Sequence, residues 1–326
     1  MPKILGTGMY LPERRVSNEE LFERFGREKL EETLERIGHG ARYHSAPGEN
    51  AGTHAVKAGK SALENAGVAP EELDLLIVAT DTPAFLSPAT ASYVQHELGA
   101  KRAGTFDVNC ACAAFVTGMD IAIKYAHSDE QYRTSLVVGT YAMSKFLDPQ
   151  DAGTYPLFGD GAGAVVLRRE EGPRRFLAST LIADGQYWDY MGVYGGGSAE
   201  VASPELVASG RQHVRIQKRF SPSLNQEAWP SLIRKTLAKR GLSTEDVGLF
   251  VFTQIRRFTI EEVMKSFGLP FSRTHVVMDK WGYTGSACVP MALHDALAQG
   301  KVKRGENIVL CASGGGYAMA CLAMEY

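Results

Sequence analysis

Hydrophobic and polar positions divide the chain into short apolar runs separated by longer segments of mixed polarity. Aliphatic runs at Leu73–Thr80, Gly104–Val108, Ser135–Gly139 and Ala162–Leu167 predict buried strands, and residues 3–7 a short one before them. Between them the spacing predicts helices at Thr53–Ala66 and Thr90–Leu98, and a charged helix from a Ser17/Glu20 capping box to about Arg36. One further helix, Ala113–Ala126, is apolar all round, with Asp120 and Lys124 its only charged residues. A helix without a polar face has to be buried. Strands alternating with helices predict α/β layers around a largely parallel sheet.

The second half repeats the first. Leu73–Thr80 reappears as Asp246–Thr253, and Thr90–Gly99 as Ile260–Gly268. Strand Gly104–Val108 with helix Cys112–Ala126 matches His275–Asp279 with Ser286–Ala298, and Ser135–Gly139 matches Asn307–Ala312. Two copies of one β-α-β-α-β unit predict a pseudo-twofold molecule with a pocket where the copies meet. The polar run Glu170–Arg175 is the natural boundary, giving halves 1–171 and 172–326.

Composition narrows the function classes. The 326 residues can bury a large core, and a formal charge of −2 gives no reason to expect nucleic acid. Five cysteines, odd in number and embedded in apolar runs, suit a reducing cytoplasm better than a disulfide framework. No Cys/His spacing suggests a metal, no apolar run reaches membrane-spanning length, and the N-terminus lacks signal-peptide character.

The candidate chemistry sits where the all-apolar helix begins. Cys112 falls in its first turn, where free backbone N–H groups and the helix dipole lower a thiol's pKa, and two alanines after it leave room for a substrate. The competing role is that of a buried apolar residue, the usual fate of a free cysteine. Cys110 lies on the strand end, before the dipole acts. The eight histidines are scattered and fall in no motif. Asp160, in the turn Phe158-Gly-Asp-Gly161, is expected to hydrogen-bond its own backbone.

Several motifs, in order and across both halves, now point the same way. They are Gly6-Thr-Gly-Met-Tyr-Leu-Pro12, Arg36-Ile-Gly-His-Gly-Ala-Arg42, Ala79-Thr-Asp-Thr-Pro83, Phe106-Asp-Val-Asn-Cys-Ala-Cys112, Leu157-Phe-Gly-Asp-Gly-Ala-Gly-Ala164, Gly195-Gly-Gly197, Asp279-Lys-Trp-Gly282 and Gly314-Gly-Gly316. The chain resembles the thiolase-like condensing enzymes, in particular the β-ketoacyl-acyl carrier protein synthase III branch. The resemblance implies a duplicated α-β-α-β-α layered fold, a homodimer, and no cofactor or metal. It implies that Cys112 is acylated by a thioester, with an oxyanion hole made by the N–H groups of Cys112 and Gly315.

The departures matter as much. The family's histidine, in a Pro-His-Gln-Ala-Asn segment, falls on Thr253 of Phe252-Thr-Gln-Ile-Arg256, and its asparagine on Tyr283. Both hydroxyls remain neutral donors, so Tyr283, with Thr253, can steady a donor's enolate oxygen; alternatively both have become packing residues. The family's adenine-sandwiching tryptophan and arginine fall on Glu32 and Ala152, which leaves coenzyme A less supported than an acyl carrier protein as the thioester carrier. Basic residues between Arg211 and Lys265, including Arg256, would suit an acidic carrier protein if they share a face. The leading expectation is condensation of an acyl-Cys112 with a malonyl-type donor. The alternatives are acyl transfer to an alcohol or amine, or a non-condensing acyl-binding partner subunit.

Overall fold

In the computed structural model, which describes residues 2–172 and 176–326, two sheets stand either side of a central pair of helices. The first sheet takes its strands in the spatial order Pro2–Tyr10, Gly161–Arg169, Thr134–Tyr141, Leu75–Ala79, Gly104–Val108. Its last three strands are parallel, and the other pairings are antiparallel. The second sheet runs Val247–Phe252, Asn307–Ser313, Ala318–Glu325, Phe176–Ala183, with its first pair parallel and the rest antiparallel. Read from the opposite edge, the second sheet repeats the first, strand for strand, as far as the equivalent of Leu75–Ala79. The halves are duplicates, as the sequence repeat predicts.

The repeat fails in one place. The expected strand His275–Asp279 does not form; Phe250 makes an isolated bridge to Thr274, and Met278–Trp281 is a short helix. The Val277 N–H is taken by the Gln254 side chain (2.9 Å) instead of by a ladder partner. The charged N-terminal helix also divides, into Asn18–Phe25 and Arg27–Ile37, because Gly26 adopts φ 90° and ends the first segment. Of the boundary run 170–175, residues 173–175 lie outside the described residues.

The all-apolar helix, Ala114–Ser128, and its counterpart Cys288–Ala298 form the middle layer. Phe115, Val116, Met119, Val289, Leu293 and Ala296 are fully buried there, and each larger side chain contributes ~1.5–3 kcal/mol. Close approach rests on glycine. A Cβ on Gly139 would lie 2.5 Å from the Ser286 carbonyl, and one on Gly163 2.6 Å from the Met291 nitrogen. Helices Ala51–Ala66 and Thr90–Leu98 cover the first sheet outside, and Leu224–Ala238 with Arg257–Ser266 the second. The order of layers is α-β-α-β-α, the thiolase-like α/β arrangement expected.

Candidate active site

Four segments converge on one cleft of about 80 Å³ between the halves. Cys112 lines it, not in the first turn of the central helix as expected but one residue before its Ala113 N-cap, with Thr253, Tyr283, Ser313, Gly314 and Gly315 from the second half. The sequence-predicted residues Cys112, Thr253, Tyr283 and Gly315 are thus brought together.

The backbone at the sulfur is strained. Ala111 holds φ 48°, a left-handed conformation that costs a residue with a Cβ, and turns the chain from strand into helix. The Gly314 turn packs directly on it. A Cβ at Gly314 would stand 2.4 Å from the Cys110 carbonyl and 2.8 Å from the Cys112 nitrogen. Only a bare backbone fits, which brings the Gly315 amide to the same wall of the cleft as Cys112.

Tyr283 is positioned from both halves. Its N–H donates to the Leu157 carbonyl (3.1 Å), and its own carbonyl accepts from the Gly159 N–H (2.9 Å). Gly282 before it takes φ 68°, ψ −153°, open essentially to glycine alone. The ring is buried against Phe158, centroids 5.7 Å apart, and the hydroxyl faces the Cys112 sulfur and favours its charged form. Burial first, then the neighbouring thiols, push this phenol well above its ordinary value, so it is a fixed donor. Thr253 is more committed. Its oxygen accepts the Ser313 N–H at 3.0 Å, and its proton has only a long 3.5 Å contact to the Ser313 carbonyl.

The Cys112 thiol does not have the lowered pKa expected from the helix dipole. Burial, then the charges of Asp81 and Cys288, push it well above the ordinary thiol value, and only the Tyr283 hydroxyl and a backbone N–H pull the other way. The dipole acts on a sulfur with almost no contact with water, at 3% exposure, so the desolvation cost of the thiolate dominates. Cys112 rests as a thiol.

Asp81 is the site residue that sequence reasoning did not single out. Its Oδ1 accepts from the Ser286 hydroxyl (2.9 Å), and the same hydroxyl contacts the Ala111 carbonyl at 3.1 Å. Desolvation raises its carboxyl to about 6. Above that pH its charge opposes the thiolate, so Asp81→Asn is expected to shift the pH profile of Cys112 alkylation by iodoacetamide toward lower pH. The charge also opposes folding. A carboxyl raised from 3.8 to about 6 stabilises the native state below pH 4, and that contribution is lost as pH rises through 6. The variant should therefore gain in chemical-denaturation stability over wild type between pH 4 and 6, and keep the gain above. An unshifted alkylation profile would separate Asp81 from the sulfur.

Among the described residues no histidine lines the cleft. His39 is buried and bonds the Ile255 carbonyl, and burial lowers it to about 3; His275 pairs with Asp295 at 2.6 Å. Asp160 does not close its own turn. It accepts from the N–H groups of Ser45 (2.8 Å) and Ser144 (2.9 Å) and from both hydroxyls, tying three segments beneath the site. Most of the basic residues in the second half are engaged internally: Arg211 with Glu200, Lys218 with Asp189, Arg257 with Glu261, and Arg234, Lys239 and Arg240 with backbone carbonyls.

A cysteine at a helix start, facing a glycine turn and a fixed phenol between duplicated halves, defines a condensing enzyme of the thiolase-like acyltransferases. Comparison with known proteins gives the family. The description "3-Oxoacyl-[acyl-carrier-protein (ACP)] synthase III" matches residues 106–185, and its C-terminal counterpart residues 237–326. A beta-ketoacyl-[acyl-carrier-protein] synthase III of Rhodospirillum centenum is 40% identical over 96% of this chain and 95% of that protein. One from Roseiflexus sp. is 36% identical over 98% and 97%. The crystal structure of the 3-oxoacyl-[acyl-carrier-protein] synthase III of Aquifex aeolicus superposes with a TM-score of 0.89 at 32% identity, covering all of both chains. The chain belongs to the 3-oxoacyl-[acyl-carrier-protein] synthase III family and is a ketosynthase-type acyltransferase.

Proposed function

We propose that Cys112 takes an acyl group from an acyl carrier protein or coenzyme A thioester and joins it to a malonyl-type donor. The observation that carries this is the Tyr283 hydroxyl on the Cys112 sulfur, opposite the Gly314–Gly315 turn. In the first step the sulfur attacks the thioester carbonyl, whose oxygen is held by the N–H groups of Cys112 and Gly315. The carrier sulfur leaves and takes up the proton that Cys112 loses, so no separate base is required. In the second step the donor's carboxylate leaves as carbon dioxide, and its electron pair passes to an enolate that Tyr283 steadies, with Thr253 as the weaker donor. The enolate carbon attacks the acyl-Cys112 carbonyl, the carbon–sulfur bond breaks, and the returning thiolate is stabilised by Tyr283 until it regains a proton.

Acyl transfer to an alcohol or amine wants a general base, and Asp81, the carboxylate whose charge reaches Cys112, is bound to Ser286. A non-condensing acyl-binding subunit would not need a strained nucleophile turn. The 1–171 and 172–326 halves serve as one catalytic unit; in favour of that division, each main sheet draws its strands from one side of it. A homodimer is part of the proposal, supported by Gly104–Val108, an edge strand with half-buried Phe106 and Val108 and, among the described residues, no partner on its outer side. A cytoplasmic setting is supported by five free cysteines. No helix among the described residues is long and apolar enough to cross a membrane.

The test is intact-mass spectrometry after incubation with acyl-carrier and acyl-coenzyme A thioesters, followed by peptide mapping. An acyl adduct on Cys112 that is discharged by malonyl thioester with release of carbon dioxide is the expected result. Discharge by an alcohol or amine without carbon dioxide would favour simple transfer. No adduct from either carrier would leave only the acyl-binding subunit.

A further inference from the structure

Of the described residues lining the cleft, Arg256 alone is charged. It stands at the N-cap of helix Arg257–Ser266, half-buried, and its guanidinium has no hydrogen bond, ion pair or ring contact within the protein among the described residues. Its neighbours differ. Arg257 pairs with Glu261 at 2.8 Å, and Arg234 donates to the Ser266 carbonyl at 2.9 Å. The one charge acting on Arg256 is of like sign: Arg36, exposed on helix Arg27–Ile37. Burial and that neighbour lower its pKa, but an arginine remains a cation. A guanidinium held partly out of water normally has an anionic partner, and its planar fork fits a carboxylate bidentately.

We propose that Arg256 binds the free carboxylate of the second substrate, and so selects a donor that is a thioester at one end and an acid at the other. The inference rests on the malonyl-type donor of the proposed function. Arg256 shares the cleft with Cys112 and follows Thr253 by three residues, so the anion that meets it lies in the same small cleft as the reacting carbonyl. A carrier's phosphate lies at the far end of a long flexible arm. Held by Arg256, the carboxylate fixes the carbon–carbon bond that breaks. As it does, the electron pair goes to the enolate, neutral carbon dioxide departs, and Arg256 keeps its protons.

The experiment uses Arg256→Gln and Arg256→Lys in the full chain with malonyl-N-acetylcysteamine, which carries the carboxylate and no phosphate. The readout is protection of Cys112 from iodoacetamide, which reports binding whether or not turnover occurs. Wild type should be protected saturably. Arg256→Gln should need about tenfold more ligand or higher, and Arg256→Lys should recover part of the loss. Acylation of Cys112 by butyryl-coenzyme A, which has phosphates and no free acid, should stay within about twofold of wild type in both variants. Equal loss in the two assays would assign Arg256 to the carrier phosphate and overturn the proposal. So would unchanged protection in Arg256→Gln, or no protection in wild type. If protection follows Arg256 but wild type releases no carbon dioxide, the condensation reading fails while carboxylate recognition stands.

Discussion

Tyr283→Phe is expected to slow carbon dioxide release from malonyl thioester by about a hundredfold or more, the usual cost of one donor lost from an oxyanion site. The substitution keeps the ring against Phe158 and the backbone bonds to Leu157 and Gly159, so the fold should hold. Only the hydroxyl on the Cys112 sulfur goes. Because that hydroxyl is one of the few groups holding the thiol's pKa down, Cys112 should also alkylate more slowly in the variant at a given pH. This is opposite in sign to the Asp81→Asn effect, so the two variants bracket the wild-type profile. Single-turnover measurement separates the half-reactions: discharge of a preformed acyl adduct should fall at least as far as its formation. Discharge at the wild-type rate would remove Tyr283 from the chemistry.

Gly314→Ala is expected to abolish turnover to a similar degree for a different reason. Its Cβ would meet the Cys110 carbonyl at 2.4 Å and the Cys112 nitrogen at 2.8 Å, both backbone atoms that cannot swing aside. The glycine turn must then retreat, taking the Gly315 amide away from the sulfur, or the strained Ala111 conformation must relax. Either route costs about a hundredfold in acylation and ~1–3 kcal/mol of stability. Gly48→Ala is the control, since nothing lies within 4 Å of its Cβ and its φ is ordinary. Near-normal acylation with Gly314→Ala would show that the turn plays no part in holding the thioester oxygen.

The site's membership was legible in the sequence to an unusual depth because the duplication places equivalent elements at equivalent heights. Cys112, Thr253, Tyr283 and Gly315 could each be found from a motif or from its counterpart in the family pattern. Strands Phe176–Ala183 and Ala318–Glu325 were not found, nor helix Leu224–Ala238. The last strand is rich in alanine and methionine, which read equally well as helix, and Pro230 interrupts the helix pattern near the first turns. Arg256 was visible, but one-dimensional neighbourhood grouped it with basic residues that are engaged elsewhere.

The amino-acid sequence by itself determined the layered fold, the buried helix and the thiol at its head, because apolar periodicity and glycine placement are local signals. Tertiary structure alone decided the state of that thiol. Desolvation and the charge of Asp81, a residue too far along the chain from Cys112 for any local pattern to connect them, outweigh the helix dipole at Cys112. It also decided which hydroxyl faces the sulfur and which arginine faces the cleft, since both depend on how two sheets close over one pair of helices.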